Sequence, residues 1–202
     1  IVDALTTNET SFFRDPKTFD LLAHKLIPEH YERLGAHAPL RIWSAAASTG
    51  QELYSVGMLL REMLGPLTTR KISILGTDIS PTALSAASAG LYSQLEVSRG
   101  LSAQRLSRYF SKEGGRYRIH DEIRALARYR QTNLLDRSAI AGLGGPFDIV
   151  LCRNVAIYFD DERRKLLFEN LARAMPPTGV LLLGLTESMR GGTGSFRREA
   201  HR

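Results

Sequence analysis

Residues 40–52 read Leu-Arg-Ile-Trp-Ser-Ala-Ala-Ala-Ser-Thr-Gly-Gln-Glu, an apolar run that passes through small residues into a helical pattern. The run Leu40–Ala46 predicts a short buried strand. Gln51–Leu64 then carries apolar residues at helical spacing, and Gly65-Pro66 is a typical helix stop. A strand that leads through a tight turn into a helix is the opening of a β-α-β unit.

The same alternation continues along the chain. Three more apolar runs predict buried strands: Lys71–Thr77, Phe147–Cys152 and Gly179–Leu185. Three further segments predict helices: Asp15–Leu34 with a break at Pro28, Pro81–Ala89 after the capping residue Ser80, and Asp160–Ala174. The pattern predicts an α/β fold with a mostly parallel sheet and helices on both faces. Ligands of such sheets bind outside the carboxyl ends of the strands.

Residues 101–132 interrupt this alternation. Ser102 is a predicted cap for a short helix, and Arg116–Ile119 and Arg128–Thr132 alternate like exposed strands. Gly114-Gly115 is typical of a tight turn before the first of them. We predict one domain over the whole chain, with a small antiparallel insertion at about 101–132.

Composition limits the class of protein. The 202 residues are 43% hydrophobic and 24% charged, which is typical of one globular domain. The net charge of +6 indicates an anionic partner: a carboxylate-rich surface, a membrane face or nucleic acid. The single cysteine, Cys152, forms no internal disulfide and no zinc set, so we predict no metal and a cytoplasmic location. No membrane span or signal peptide is recognisable, so no membrane insertion is predicted.

The turn after the first strand predicts a ligand site. Its small residues let a ligand approach the backbone, and the next helix directs N–H groups at it. The chain lacks the glycine-rich motifs of dinucleotide dehydrogenases and P-loop hydrolases, and it lacks a nucleophile elbow. Asp78 directly follows the second strand, where an acid can bind ribose hydroxyls. Taken alone, these residues fit a nucleoside-binding domain or a tight turn beside a helix-capping Asp.

Four segments together resemble one known family. They are Asn8–Arg14 (NETSFFR), Trp43–Glu52 (WSAAASTGQE), Gly76–Ser80 (GTDIS) and Phe147–Phe159 (FDIVLCRNVAIYF). In this order they are similar to the chemotaxis receptor methyltransferases, the CheR family, from about Leu5 to Ser188. The resemblance implies a class I, Rossmann-like S-adenosylmethionine methyltransferase. It implies methyl transfer to glutamate side chains of methyl-accepting chemotaxis receptors, with glutamyl methyl esters and S-adenosylhomocysteine as products.

The resemblance also assigns roles to residues. It implies that these bind the cofactor: Asn8, Thr10, Arg14, Glu52, Asp78, Asn133, Leu134, Arg153 and Asn154. Arg14 and Tyr158 are the implied catalytic residues, Arg14 to steer the substrate carboxylate and Tyr158 to face the transferred methyl group. A glutamate carboxylate has a pKa of about 4.3 and is ionised near neutral pH, so no general base is required.

The implied partner is the cytoplasmic domain of a chemoreceptor, docked at the insertion. The turn Lys112–Gly115 is short compared with family members that grip a receptor-tail peptide, so we predict independence from a receptor C-terminal pentapeptide. The family usually carries a small basic helical domain before the NETSFFR segment. We expect that helical domain outside this chain, and a C-terminal partner domain is a further domain that the full protein has room for.

Two other functions compete on the sequence. Positive charge is compatible with a nucleic-acid methyltransferase. However, Arg153-Asn154-Val155-Ala156 stands where the amino-methylating enzymes have an Asn/Asp-Pro-Pro motif, and Cys152 lacks the preceding proline typical of a cytosine-C5 nucleophile. We therefore predict no nucleic-acid partner. A non-catalytic signalling module that binds the cofactor or the receptor stays open.

Overall fold

A computed structural model describes residues 9–35, 38–65, 72–189 and 194–197. The strands, numbered along the chain, are β1 (Leu40–Ser44), β2 (Ile72–Asp78), β3 (Leu91–Tyr92), β4 (Phe110–Glu113), β5 (Arg116–Ile119), β6 (Ala127–Gln131), β7 (Ile149–Cys152) and β8 (Val180–Leu183). The α-helices are α1 (Pro16–Leu21), α2 (Ile27–Leu34), α3 (Gln51–Leu64), α4 (Pro81–Ala89), α5 (Gln94–Ser98), α6 (Ala103–Tyr109), α7 (Asp121–Arg124), α8 (Arg137–Ala141) and α9 (Asp161–Arg173).

The main sheet has five strands in the order β6-β2-β1-β7-β8, and every neighbouring pair is parallel. The chain proceeds from β1 outward to β2 and β6, and then crosses back to β7 on the other side of β1. The strand order therefore switches between β1 and β7, and a crevice opens at their carboxyl ends. This confirms the predicted α/β fold with its mostly parallel sheet.

Two hydrophobic clusters cover the two faces of this sheet. Ile42 and Ile149 pack on one face with side chains of α1 and α3. Trp43 and Val150, one position further along each strand, pack on the other face with side chains of α8 and α9. Because side chains alternate along a strand, a sheet that is covered on both faces reads as a continuous apolar run. Helices on both faces were predicted from the alternation of strands and helices along the chain.

Local signals set several helix ends where the sequence predicted them. Ser80 caps α4 by accepting a hydrogen bond from the Ala83 N–H, with Pro81 in the first turn and Gly90 in the left-handed conformation after the helix. Helix α3 spans the predicted residues and ends at Gly65. The chain does not break at Pro28, contrary to the prediction. A π-helical segment, Leu22–Leu26, joins α1 to α2, so helical turns continue through Pro28, which lies in the first turn of α2.

The antiparallel sheet differs in extent from the predicted insertion. Its order is β3-β5-β4, so it already begins at Leu91. The stretch Arg128–Thr132, predicted to belong to it, instead forms β6, which pairs in parallel with β2 from Ala127 to Gln131. Strand β6 is an edge strand of the main sheet, and its residues are only partly covered by neighbouring elements. Arg128 and Arg130 are exposed, so polar and apolar residues alternate along β6 as they would in a surface hairpin. We define the insertion as residues 91–124.

Gly50, between β1 and α3, allows us to predict a loss of stability. Its φ is +93°, and a Cβ there would lie 2.9 Å from the Ala87 Cβ and 3.0 Å from the Tyr129 hydroxyl. Gly65 has a φ of +66°, and no atom of the described residues lies within 4 Å of such a Cβ. We expect Gly50→Ala to lower the free energy of unfolding by about 2–4 kcal/mol, and Gly65→Ala by only about 1 kcal/mol. Urea denaturation measures the free energy of unfolding of both variants. Equal losses of stability in the two variants would contradict the packing argument.

Candidate active site

A cleft of about 390 Å³ opens at the carboxyl ends of the main-sheet strands. Four parts of the chain form its walls: residues 9–14 before α1, residues 45–52 between β1 and α3, residues 78–79 with 132–134 after β2 and β6, and residues 153–159 after β7. This is the switch point of the strand order, where sheets of this kind bind their ligands.

The cleft brings together the site residues that the sequence predicted. The predicted residues in its walls are Thr10, Arg14, Glu52, Asp78, Asn133, Leu134, Arg153, Asn154 and Tyr158. Asn8 lies outside the described residues. The structure thus gathers side chains from four separated parts of the chain, while the role of each remains a prediction.

The loop after β1 is held by backbone hydrogen bonds to both neighbouring strands. The Ala45 N–H donates to the Leu151 carbonyl at 2.8 Å, and the Ala47 N–H donates to the Thr77 carbonyl at 2.8 Å. Ser48 has a φ of +48°, and its buried hydroxyl has no hydrogen-bond partner within the described part of the chain. The loop therefore forms a fixed wall of small residues, and its Ser48 hydroxyl is available to bind a ligand.

Asp78 is fixed by two backbone amides. Its Oδ2 accepts a hydrogen bond from the Ser48 N–H at 2.8 Å, and its Oδ1 accepts one from the Ser80 N–H at 3.0 Å. An ionised carboxylate has about four lone-pair positions, so acceptor capacity is left over for a ligand. The alternative of a helix-capping Asp does not fit, because Ser80 caps α4.

Arg153 is the buried cation of the site. Its side chain is 2% exposed and pairs with Glu52 at 2.8 Å and with the Asp15 carboxylate. The same guanidinium donates to the Arg14 carbonyl at 2.8 Å. Its Nε has no partner among the residues described. A buried charge is costly unless it is paired, so this set of contacts joins β7, α3 and the segment before α1 into one unit.

The segment that carries Arg14 has a strained backbone. Phe13 has a φ of +47° and Asp15 a φ of +61°, conformations that cost roughly 1–3 kcal/mol each in residues with side chains. The Phe13 N–H is held by the Ser55 hydroxyl at 2.9 Å. The Arg14 guanidinium donates to the Glu9 carbonyl at 2.7 Å. Such strain persists only where the surrounding structure enforces it, and it is typical of functional sites.

Glu187 supports the site and was missed by the sequence reasoning. Its carboxylate accepts hydrogen bonds from the backbone N–H groups of Asn154 (2.6 Å), Val155 (2.9 Å), Ala156 (2.7 Å) and Gly184 (2.7 Å). It therefore ties the loop after β7 to the loop after β8, with Asn154 at a φ of +59°. An acid shortly after the last strand was the only available signal, because backbone partners leave no trace in a sequence.

Tyr158 and Cys152 differ in their access to the cleft. Tyr158 ends a short 3-10 turn, Ala156–Tyr158, and is 61% exposed at the rim of the cleft. Cys152 is fully buried in the core, as predicted, and burial raises the pKa of its thiol well above the ordinary value, with Glu187 and Glu52 adding to the shift. A buried thiol with a raised pKa is a poor nucleophile, which argues against chemistry of the cytosine-C5 type.

The described residues contain neither a candidate metal site nor a candidate membrane span. No group of three or more His, Cys, Asp and Glu side chains in that part of the chain is arranged to hold a metal ion. None of the helices in the same residues is long and apolar enough to cross a membrane.

The strand order, the small-residue loop and the acid after β2 define the class of protein: a nucleoside-binding α/β domain, of the kind found in S-adenosylmethionine-dependent methyltransferases. A family described as "CheR methyltransferase, SAM binding domain" matches residues 8–202. The chain belongs to this family, and it is an S-adenosylmethionine-dependent enzyme of the chemotaxis methyltransferase type.

Relatives match almost the whole chain. The chemotaxis protein methyltransferase of Vibrio parahaemolyticus is 43% identical over 199 residues, which cover 96% of this chain and 70% of the relative. Chemotaxis protein methyltransferase 1 of Vibrio cholerae is 41% identical over 198 residues, with coverage of 96% and 70%. Chemotaxis protein methyltransferase 1 of Pseudomonas aeruginosa is 43% identical over 194 residues, with coverage of 94% and 69%.

The residues of the cleft fit the cofactor of this family. Two buried polar atoms near its walls, the Arg153 Nε and the Ser48 hydroxyl, have no partner within the described ranges. The alanines of the loop after β1 leave the backbone open to a ligand, and the Asp78 carboxylate keeps free acceptor capacity. A nucleoside with an amino-acid tail can use all three features.

Glu187→Gln tests the support of the loop after β7. An amide has one acceptor oxygen and a donor that would face backbone N–H groups, so some of the four donors lose their acceptor. Each buried donor without an acceptor costs about 1–3 kcal/mol. We expect a lower free energy of unfolding by about 2–4 kcal/mol in urea denaturation, together with reduced turnover.

Glu96→Gln is the matched control for this substitution. Within the described residues, the Glu96 carboxylate accepts from one backbone N–H, that of Ser93, in the capping box of α5. We expect a smaller loss of stability and unchanged turnover. Equal effects of the two substitutions on turnover would contradict a specific role of Glu187 at the cleft.

Proposed function

We propose that this chain transfers a methyl group from S-adenosylmethionine to glutamate side chains in the cytoplasmic domain of chemoreceptors, forming glutamyl methyl esters. The observation that carries the proposal is that Arg14 and Tyr158, from opposite ends of the chain, converge on one cleft with Asp78 and Arg153. Membership of the chemotaxis methyltransferase family supports the choice of substrate. A substrate in the receptor's cytoplasmic domain supports a cytoplasmic location for the enzyme.

The proposed cofactor contacts follow from the fixed groups of the cleft. When bound, S-adenosylmethionine supplies a methyl group on a positively charged sulfur. Asp78 accepts hydrogen bonds from the ribose hydroxyls, since two amides already hold its carboxylate. Asn133 and Leu134 frame the adenine. Arg153 and Glu52, joined in their ion pair, would hold the amino-acid end, and Asn154 would line the part of the cleft that takes the sulfonium group.

The proposed chemistry needs placement rather than proton transfer. The glutamate carboxylate is ionised near neutral pH and attacks without a general base. Arg14 attracts and orients this carboxylate, and the strained backbone at Phe13 and Asp15 fixes the position of the Arg14 Cα. Tyr158 packs beside the methyl group and offers its hydroxyl to the substrate. Orientation of this kind can lower a barrier by roughly 7–11 kcal/mol in favourable cases.

The charge of the chain supports docking at the insertion and the strands beside it. Residues 99–130 carry nine Lys and Arg against three Asp and Glu, a net charge of +6 that equals the net charge of the whole chain. The cations are Arg99, Arg105, Arg108, Lys112, Arg116, Arg118, Arg124, Arg128 and Arg130. A receptor surface rich in glutamates complements such a region, and the attraction speeds encounter at low salt.

A methyl-ester assay tests the proposed function. The chain is incubated with labelled S-adenosylmethionine and receptor cytoplasmic fragments and then treated with mild base. Glutamyl esters release volatile labelled methanol, whereas N-methyl products do not. We expect Arg14→Ala to reduce this release at least about 100-fold, because the carboxylate loses its orienting cation.

Arg173→Ala is the control for the loss of one positive charge. Arg173 is exposed at the end of α9, next to Ala174, whose carbonyl pairs with Phe147 before β7, so it lies at the end of the sheet opposite the cleft. We expect unchanged methanol release. Normal turnover in Arg14→Ala would refute the assigned role. Cofactor binding without any methylation by the wild-type chain would favour the non-catalytic module.

The hairpin of the insertion supports independence from a receptor-tail peptide. Strands β4 and β5 are joined by only Gly114 and Gly115, and Glu113 pairs with Arg116 in the ladder. Arg118 donates two hydrogen bonds to the Glu113 carboxylate, and this contact lowers the pKa of that carboxyl. We expect no measurable calorimetric binding of a receptor-tail pentapeptide, and equal methylation of receptor fragments with and without the tail. Tight binding of the isolated pentapeptide would refute this.

A further inference from the structure

The insertion and the segment that carries Arg14 share one packed interface. The Phe12 ring is fully buried and lies edge-on to Tyr92 of β3 and Phe110 of β4, with centroid distances of 5.0 and 5.5 Å. Gly100 approaches so closely that a Cβ there would lie 1.8 Å from the Phe12 carbonyl oxygen. The insertion therefore forms the wall against which this segment rests.

Arg105 of the insertion makes a second contact with the segment. Its guanidinium carbon lies 3.8 Å from the centroid of the Phe13 ring. Glu62 of α3 holds the guanidinium at two points, the Nε at 2.9 Å and an Nη at 2.8 Å. A two-point pair fixes the plane of the guanidinium, and a fixed plane can hold an aromatic ring face to face. The Phe19 ring also packs against the Phe13 ring, with a centroid distance of 5.0 Å.

Phe13 needs such a clamp because its backbone is strained. At a φ of +47° a bulky residue keeps its conformation only while its surroundings enforce it. The Ser55 hydroxyl holds the Phe13 N–H at 2.9 Å, and the Arg105 guanidinium holds the ring. Relaxation at Phe13 would rotate the next residue, Arg14, away from its place in the cleft.

We propose that Arg105 is a positioning residue for the methyl transfer. Arg105 acts through Phe13. Glu62 holds the Arg105 guanidinium, and the guanidinium holds the Phe13 ring. The fixed ring in turn determines the direction of the Arg14 side chain, which follows Phe13 in the chain. This inference rests on the proposed function, since it concerns the geometry of Arg14. Arg105 and Glu62 are 29% and 26% exposed and joined at two points, so removing the pair would also cost stability. A substitution that keeps the charge of Arg105 is therefore the sharper test, because the ion pair is retained while the planar contact with Phe13 is lost.

Arg105→Lys tests the clamp with the charge retained. Lysine has no planar fork, so it cannot hold Glu62 at two points and stack flat on Phe13. We expect kcat to fall at least about tenfold, because a displacement of about 1 Å can cost about 100-fold in rate. The cofactor Kd from calorimetry is expected to rise by a smaller factor than kcat falls, since Asp78 and Asn133 line the cleft from elements that do not contact Arg105.

Arg61→Lys is the matched control. Arg61 pairs with Glu122 of the insertion at 3.0 Å, the side chains are 24% and 45% exposed, and no contact joins this pair to Phe13 among the residues described. We expect kcat within about twofold of wild type. Glu62→Gln should reproduce the Arg105→Lys defect, and the double variant should show no further loss, because both residues act through one contact.

Amide hydrogen exchange gives a readout that does not depend on methylation. We expect faster exchange in the peptide covering residues 9–15 for Arg105→Lys, and no change for Arg61→Lys. Unchanged exchange in that peptide, equal kcat in the two variants, or faster exchange along the whole chain would overturn the proposal. If the wild-type chain methylates no receptor while residues 9–15 respond as expected, the clamp stands and the proposed function fails.

Discussion

The buried guanidinium of Arg153 is the interaction on which the active site depends. It joins three separate parts of the chain by pairing with Glu52 of α3, with the Asp15 carboxylate and with the Arg14 carbonyl. A cation with a side chain only 2% exposed must be compensated by these partners, because burying an unpaired charge is prohibitive. Loss of Arg153 would leave two carboxylates facing each other at the end of the sheet. The position of Arg14 is thus tied to the same ion pairs that form the wall of the cleft.

The second constraint is backbone strain, which is concentrated around the cleft. The positive-φ residues other than glycine are Phe13, Ser48, Asp15 and Asn154, within the part of the chain that the structure describes. Each is held by a contact from another element: Ser55 holds Phe13, Asp78 holds Ser48, Arg153 holds Asp15 and Glu187 holds Asn154. The folding free energy of the sheet and its two cores sustains this strain, and the strain fixes the directions of the side chains in the cleft.

Much of the fold could be predicted because its signals are local. Helix α4 needs only Ser80, Pro81 and Gly90 to set its ends, and all three act within one turn of the backbone. The identity of the site was also recoverable, since the motif residues around Asp78 and Arg153 end strands of one parallel sheet. Strand β6 was wrongly assigned to the antiparallel insertion, although it pairs in parallel with β2. As an edge strand it is only partly covered, so polar and apolar residues alternate along it as in a surface hairpin.

By itself the sequence determined the alternation of strands and helices, the family, and many of the side chains that line the cleft. The alternation follows from apolar runs and helical spacing, and the cleft residues follow from the resemblance of four motifs to one family. Only the tertiary structure decided how the cleft is held: the four amides that Glu187 accepts, the Glu62–Arg105 pair that holds Phe13, and the common core of the insertion and Phe12. The physical reason is that these contacts join residues far apart in sequence, and several of them end on backbone atoms, which every residue type provides.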